Sequence, residues 1–588
     1  MPACALRCGE VGASLPVAPL RPAAWLIAAV ACSVPAIARA FPVESPSAPA
    51  TTDGGGTEAG TAANGAANGT GNGGEAAAVP TPEGATHQIT PQAGGGLPSG
   101  PGWTIQPRVD IQEIFNDNIF ATQTDRRYDF ETVIAPGISI GADTRRLQAR
   151  LEYDPTAEIY ARTSSENNVG QNVAATGLLT IVPDELFLDA RAYATQQVLN
   201  GGVSPNQNNF FTTGRSGPTS NLFINNNQLT QTYSYSLSPY VTHRFGDTGT
   251  LQAGVSYSQT IFGSGATIPS NSVFGSQALA GTTQTSTEEY AKFTTGPRFG
   301  RILNQALFDS TQQTGTGGSG DFHHTLGIDE IDYAFTREIA GIVDFGGEDL
   351  SFAGTPPIHI TDVVWDVGAR LTPNPDSTIT VRYGHHEGIN SFFLDATYAV
   401  TARTTIYANY SEGLSTDTGE IVNNLDQAAI NPYGQTINAE TGAPLLINNG
   451  FFGLTGNLYR QKSLSLTSTT ALDRDSISLS VMYQNQKEVS AVPGSPSGST
   501  DGTIGTVSWQ HQLTPVTFGT VYADYGIRSF SGTPSETQNL FDASAAVTHI
   551  FTESLTGIAQ YTFTNSHSNL PGNSYFQNVF LVGLHKAF

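Results

Sequence analysis

The side chains best equipped for chemistry in this sequence are two pairs of adjacent histidines, His323–His324 and His385–His386. With them stands a set of ionisable residues spaced by even numbers: Arg150 and Glu152, Asp189 and Arg191, Asp366 and Arg370, Arg382, Asp395, Asp524 and Arg528. Paired histidines invite a metal ion or a proton transfer. Neighbours on a strand point to opposite faces, however, so neither pair can hold one metal or one substrate jointly. No HExxH or P-loop pattern accompanies them, and the one GxSxG match, Gly137 to Gly141, lies within an extended apolar stretch and not at a strand-to-helix turn. The three cysteines, Cys4, Cys8 and Cys32, all fall in the first 40 residues. Later segments therefore have no disulfide, thiolate metal site or cysteine nucleophile. The expectation is a protein that is not an enzyme and takes no cofactor or metal.

What positions these groups is a period of two. In "RLQARLEYD", Leu147, Ala149, Leu151 and Tyr153 are apolar while Gln148, Arg150, Glu152 and Asp154 are polar, the signature of a strand with one greasy and one wet face. The pattern returns in "LFLDARAYA", "TITVRYG", "SISLSVMY", "VYADYGIR" and "GIAQYTFT". Long 3.6-period runs are missing after the leader. Only 13% of residues are charged, while Gly (63), Tyr (21) and Phe (30) are plentiful.

The first 40 residues read as a signal peptide: Arg21 precedes an apolar core, and Ala38-Arg39-Ala40 is a small-x-small cleavage site. A lipoprotein reading of "AVAC", ending at Cys32, is the alternative. Residues 41–101 are rich in Ala, Gly, Asn, Thr and Pro, without Lys, Arg, Tyr or Trp. Such a stretch cannot offset its ordering entropy and is expected to be a disordered periplasmic segment.

Alternation alone fits a soluble sandwich as well. Four features favour a membrane barrel over residues 102–588. Ionisable groups occupy mid-strand positions on the wet face. Short turns (141–146, 182–185, 246–249, 374–377, 552–554) alternate with long polar loops (near 198–230, 263–285 and 414–447). An export signal precedes the region, and no stop-transfer helix follows. Finally, the last strand places Phe580, Val582, Leu584 and Phe588 on one face, with Lys586 as the exception.

The fold class expected is therefore all-β: a transmembrane antiparallel β-barrel of about 20–22 strands (range about 18–22), closed so that every backbone group is satisfied. "NGFFGLTGNLYRQKSL" and "GIDEIDYAFTREIAGIVDF" break parity and are expected to hold bulges. Rows such as Thr361, Val363, Trp365, Val367, Ala369 and Leu371, or Phe392, Leu394, Ala396, Tyr398 and Val400, face lipid; Thr556, Gln560, Thr562 and Thr564 face the lumen.

Five acids and five bases among the ionisable residues above suggest a lumen of nearly balanced charge. Two readings stand: ion pairs that stiffen the wall, or facing acidic and basic rows that form a selectivity constriction. The chain's net charge is −24; residues 1–101 hold six acids and three bases, which leaves −21 for the remainder. That excess is expected in turns, loops and unphased strands, where it would share divalent cations with lipopolysaccharide. The same sign disfavours nucleic acid. Loops 206–214 and 431–442 mix amides with aromatics, which fits either packing into a barrel mouth or a sugar site.

The stretches "GWTIQPRVDIQEIFNDNIFA", "DFETVIAPGISIGADTRRLQARLEYDPTAEIYA" and "NLYRQKSLSLTST" resemble the PEP-CTERM-system-associated outer-membrane proteins and are similar to beta-barrel porins of exopolysaccharide gene neighbourhoods. The resemblance covers about residues 103–588 and is most specific in its first sixty. It implies an outer-membrane barrel tied to surface polysaccharide or protein sorting, with no catalytic residue to carry over. It also makes the four terminal residues above the signal read by the barrel-assembly machinery. The expected activity is a porin-like channel or export pore for polysaccharide or small polar solutes, in the outer membrane of a Gram-negative bacterium; the alternative is a non-conducting structural or adhesion barrel. Expected partners are outer-membrane lipid and lipopolysaccharide, the assembly machinery, and polysaccharide.

Overall fold

A computed structural model describes residues 102–202, 229–264, 273–316, 320–430, 436–439, 442, 445, 447 and 451–588. The expected cleavage at Ala38 and Ala40, the segment 41–101, loop 206–214 and most of 431–442 lie outside the described residues.

Every long period-two segment forms a strand. In chain order the wall consists of β1 (Gly102–Asn116), β2 (Asp129–Asp143), β3 in two pieces (Leu147–Tyr153 and Thr156–Tyr160), and β4 in two pieces (Asn168–Gly170 and Val173–Val182). There follow β5 (Leu186–Val198), β6 (Leu229–Arg244), β7 (Gly249–Phe262), β8 (Thr283–Thr295), β9 (Ile302–Gly315), β10 (Phe322–Ala334) and β11 (Ile339–Phe352). The next group is β12 (Ile358–Leu371), β13 (Thr378–His386), β14 (Ile389–Thr401), β15 (Thr404–Ser415), β16 (Leu458–Ala471) and β17 (Asp475–Ser490). The wall ends with β18 (Thr500–Thr514), β19 (Thr517–Phe530), β20 (Glu536–Thr552), β21 (Leu555–Ser568) and β22 (Tyr575–Ala587). Each pairs antiparallel with its sequence neighbour, and β22 returns to pair with β1 from Arg108↔Ala587 to Asn116↔Val579. The chain forms a closed 22-stranded β-barrel.

Closure leaves no sheet edge at the meeting of first and last strands. The outside is apolar: Val363, Trp365 and Val367 on β12 and Phe392 on β14 are exposed, while their sequence neighbours are buried or half-buried. An apolar exterior around a polar interior is the inversion that distinguishes a lipid-embedded barrel from a soluble one. Phe580, Val582, Leu584 and Phe588 all face outward, at 52%, 58%, 53% and 73% exposure. Lys586 bends back so that its Nζ donates to Ser554 Oγ in the neighbouring turn (2.5 Å).

Connections at the end that carries Gly102 and Ala587 span two to six residues; at the other end they reach 30 (199–228), 20 (263–282) and 42 (416–457). The expected sidedness is therefore present. Of the two expected bulges one is absent: the parity break at 327–345 is a tight turn at 335–338 between β10 and β11, whose register is continuous. The break near 450–465 holds a loop, 451–457, and then a register shift at Leu458/Tyr459, where a bulge was expected. Among the described residues, the region from 414 to 447, read as polar loop, contains a helix, α1 (Asp417–Gln427). Thr416 caps it by accepting from Gly419 N, and Asp417 and Glu420 sit in its first turn, where carboxylates favour the helix dipole.

Candidate functional site: an acidic lumen with an infolded mouth

All ten ionisable residues singled out in the sequence turn away from lipid, and the structure sorts them into five groups. On β3, Arg150 pairs with Glu152 (3.3 Å), and Glu152 also receives Arg108 of β1 (3.0 Å), whose guanidinium reaches Asp154 as well (2.5 Å). A larger network spans β10 to β13. There Arg382 contacts Glu330 (2.8 Å) and Asp344 (2.6 Å), Arg370 contacts Asp332 (2.7 Å), and His386 bonds Asp366 (2.6 Å). Glu330, Asp344 and Asp366 lie directly opposite one another on three successive strands. Asp189 and Arg191 pair on β5 (2.8 Å), and Asp395 receives Asn409 Nδ2 (3.4 Å). Asp524 and Arg528 are both buried on β19.

Two arginines reach across a neighbouring strand at a glycine. Gly368 of β12 is the register partner of Arg382, and a Cβ there would stand 2.9 Å from Arg382 Cγ. Gly137 of β2 faces Arg108 in the same way, and a Cβ there would collide with both Arg108 and Asp154. The missing side chain is what lets each guanidinium bridge carboxylates two or more strands away.

The expectation of a charge-balanced lumen is overturned. Among the described residues, 21 Asp and Glu are buried against four Arg. These include Asp110, Glu131, Glu158, Asp309, Glu330, Asp332, Asp344, Glu348, Glu536 and Asp542. The acid excess therefore lies inside the barrel, on strands whose phase could not be read, rather than mainly in the loops. Spacing such as Glu330-x-Asp332 carried the signal, but the tight turn inside "GIDEIDYAFTREIAGIVDF" masked the parity that would have revealed it.

The histidines behave as the alternation requires. His324 turns inward to Glu348 (3.3 Å) and His386 to Asp366. His385 shares its level with outward Trp365 and contacts Asn390 (2.7 Å) and Asp362 (3.0 Å). Neither pair shares a ligand.

At the long-connection end, described segments of the loops pack against the inner wall. Ile421 and Ala428 pack with Leu199, Phe262, Leu279, Ile447 and Leu454 in one apolar cluster, which places α1 against the inner faces of β5 to β7. Arg191 then serves as a tie: its guanidinium donates to the carbonyls of Leu425 (3.3 Å), Asp426 and Ala428 (3.0 Å) at the C-terminal end of α1, where a cation complements the dipole. Arg528 ties three loops at once. It donates to Asn200 O (2.9 Å) and Phe451 O (3.0 Å), stacks 3.9 Å from the Phe274 ring and is held by Gln538 (2.7 Å). Arg191 keeps its pair with Asp189, as in the wall-stiffening reading, and both arginines anchor the mouth.

Near the short turns the lumen is more open. Inner residues of β21 and β22 are buried from Thr562 to Ser568 and from Gln577 to Leu581, then become half-exposed toward the turns.

Asp417 fastens the other end of α1. Its carboxylate accepts from Thr455 N (2.6 Å) and Gln486 Nε2 (2.7 Å), while burial, only partly offset by those bonds, pushes its carboxyl up to about 6. In a loop swung out to water the group would titrate near ~3.9. The packed loop thus binds the proton more tightly, so the closed mouth gains stability as pH falls from about 6 toward ~4 and is unaffected above that window. The expected result is fewer open events in single-channel recordings on acidification through this range, with the Asp417-dependent part abolished in Asp417→Asn.

No family model matches this chain, and no curated protein does. Among solved structures it is similar to the ferric-catecholate import receptor Fiu of E. coli K12 in its closed form, at 11% identity, covering 82% of this chain and 81% of that one, with TM-score 0.45. It is also similar to Pseudomonas aeruginosa OpdK with vanillate, at 7% identity over 82% and 99% of the chains, with TM-score 0.31. The fold assignment rests on the closed register above.

Proposed function

We propose that this chain is an integral outer-membrane channel of a Gram-negative bacterium that passes polar solutes and prefers cations, with loops tied over its mouth as the gate. One observation supports it most: the carboxylate excess lines the interior of a closed barrel, where a focused negative potential acts on whatever enters. Reconstituted protein in a planar bilayer under a KCl gradient should give discrete conductance steps and a reversal potential on the potassium side. A chloride-side value would refute the cation preference.

A second reading, the non-conducting structural or adhesion barrel, is favoured by the packed mouth, since every long connection contributes a tie. It requires the absence of steps even when the ties are cut. The resemblance to exopolysaccharide-associated barrels makes a hydroxyl-rich polymer the solute class in this proposal; its chain would hydrogen-bond the Thr, Ser and Gln rows of β21. If the pore is dedicated to that polymer, deletion of the gene should abolish surface polymer while the uptake of small solutes is unchanged, and normal polymer in the deletion strain would end that version.

The same proposal takes in assembly. With Phe588 outward and its N–H donating to Pro107 O (3.0 Å) across the β1–β22 closure, the terminal strand offers an aromatic to the barrel-assembly machinery. Removal of Phe588 should lower the heat-modifiable fraction in outer membranes several-fold while leaving unassisted refolding in detergent intact.

A further inference from the structure

All 14 residues of β12 pair with β11, yet only residues 365–371 pair with β13. All 12 residues of β15 pair with β16, yet only 404–410 pair with β14. Among the described residues no strand covers 358–364 of β12 or 411–415 of β15 on the sides that face each other across the short β13–β14 hairpin. That hairpin turns at Glu387-Gly388, with φ of 51° and 70°, the left-handed pair of a tight two-residue turn.

Above this hairpin the wall overlaps itself. Leu414 and Leu458 lie on the face of β15 and β16 that, lower down, carries Leu466 at 43% exposure toward lipid. At the top both are buried in one cluster with Leu350, Phe352, Ile358 and Ile360, the inner-face residues of β11 and β12. The upper ends of β15 and β16 therefore pass inside those of β11 and β12. Few polar bonds hold the overlap. Glu387 accepts from Leu414 N and donates its own N–H to the Glu348 carboxylate. Thr355 and Ala491 exchange backbone bonds (2.8 and 3.1 Å), and Ser490 Oγ donates to Pro356 O (2.6 Å).

The seam begins at the membrane interface. Its foot carries the ring pairs Phe392–Tyr410 (5.8 Å) and Trp365–Tyr383 (6.3 Å), the amphipathic rings expected at headgroup level. Above them Val363 is the last apolar outward residue of β12, and beyond it stand His359 and Thr361, the latter bonded to Asp349 (2.9 Å). Unpaired backbone is tolerated there and not in hydrocarbon.

We propose that this seam is a lateral gate between the lumen and the outer leaflet, and that it passes a membrane amphiphile with a single acyl chain. The chain crosses where Leu414 and Ile360 now meet, and the polar head enters beside Glu348, His324 and Glu387. The proposal rests on the reading of the barrel as embedded in the outer membrane, and it adds a sideways path to the axial one.

Residues 41–588 contain no cysteine, so single thiols report cleanly. Ile360→Cys and Leu414→Cys, each in the mature chain in proteoliposomes, should react with dodecylmaleimide dissolved in the bilayer roughly tenfold faster than Leu454→Cys, which lies in the loop cluster away from the seam. Glu387→Ala should raise both seam rates further, by roughly threefold to tenfold. Two results overturn the gate in protein with normal heat-modifiable migration: seam rates equal to the Leu454→Cys rate, or seam thiols reached only by a sulfonated, water-soluble maleimide. Conductance measured on the same preparation separates the two ideas, since absent steps with intact seam labelling end the axial pore and leave the gate standing.

Discussion

Replacing Arg528 with alanine should unlatch the mouth. The side chain makes two bonds to loop carbonyls, one to Gln538 and a stacking contact on Phe274. Hydrogen bonds from a charged donor contribute about 1.5–3 kcal/mol each, and a desolvated cation–π contact up to about 2 kcal/mol. Part of this is recovered by water once the loops separate, so a net shift of about 3 kcal/mol toward the open mouth is a reasonable expectation. That is roughly a hundredfold in the open-to-closed ratio. It should be read as a rise in open probability in single-channel records and as new protease cleavage within 199–202 or 451–457 in intact cells. Arg528→Lys keeps the charge but loses the planar fork that serves Asn200, Phe451 and Gln538 together, so it should fall between. Unchanged conductance and unchanged protection in Arg528→Ala would mean that the apolar cluster around Leu199 and Phe262 holds the mouth without the tie.

The second large effect concerns selectivity. Glu330, Asp344 and Asp366 form a transverse row of carboxylates, and their combined conversion to Gln, Asn and Asn keeps size and hydrogen-bond capacity while removing three negative charges. At ~10 Å in water each charge acts on a passing ion with about 0.4 kcal/mol, and salt near 0.1 M screens part of that. Three together are worth about 0.6–1.2 kcal/mol, with opposite sign on potassium and on chloride, so the permeability ratio should fall roughly eightfold to sixtyfold. The measurement is the reversal potential in a KCl gradient, compared with that of the parent protein. A ratio that does not move would place the selectivity elsewhere, with the group around Glu131 and Glu158 next to be neutralised. Arg382→Ala is the contrasting variant. It leaves Glu330 and Asp344 without their shared guanidinium, and breaking a buried pair on one side costs about 3–5 kcal/mol. Both variants break the Arg382 pairs and should lower the temperature of heat-modified migration, but only the amide triple should lower the potassium-to-chloride ratio.

These expectations draw on different layers of information. The direction in which each side chain points was legible residue by residue. Alternation placed Arg150, Glu152, Asp189, Arg191, Asp366, Arg370, Arg382, Asp395, Asp524 and Arg528 on the wet face, and all ten turn away from lipid. It likewise placed Phe580, Val582, Leu584 and Phe588 outside. The cause is local: consecutive Cβ atoms on a strand leave opposite faces whatever the rest of the chain does. Turn lengths were legible for the same reason, since Gly, Asn, Asp and Pro mark them in place.

The helix α1 was not legible, because Ile421, Val422 and Leu425 make too short an apolar stripe to stand out inside a polar loop, and its stability comes from the wall it packs on. The acid excess escaped where a four-residue turn interrupted the alternation at 335–338 and hid the phase of Glu330, Asp332 and Asp344.

From the order of residues alone, this chain shows that it builds a two-faced wall and which atoms meet lipid, since both follow from geometry repeated every second residue. Which arginine serves a carboxylate and which holds a loop, that loop segments pack against the inner wall at the mouth, and that β12 and β15 overlap without pairing emerged only in the folded barrel. Those facts depend on partners hundreds of positions apart, such as Arg528 and Asn200 or Arg191 and Ala428, and closure of the cylinder is what brings them together.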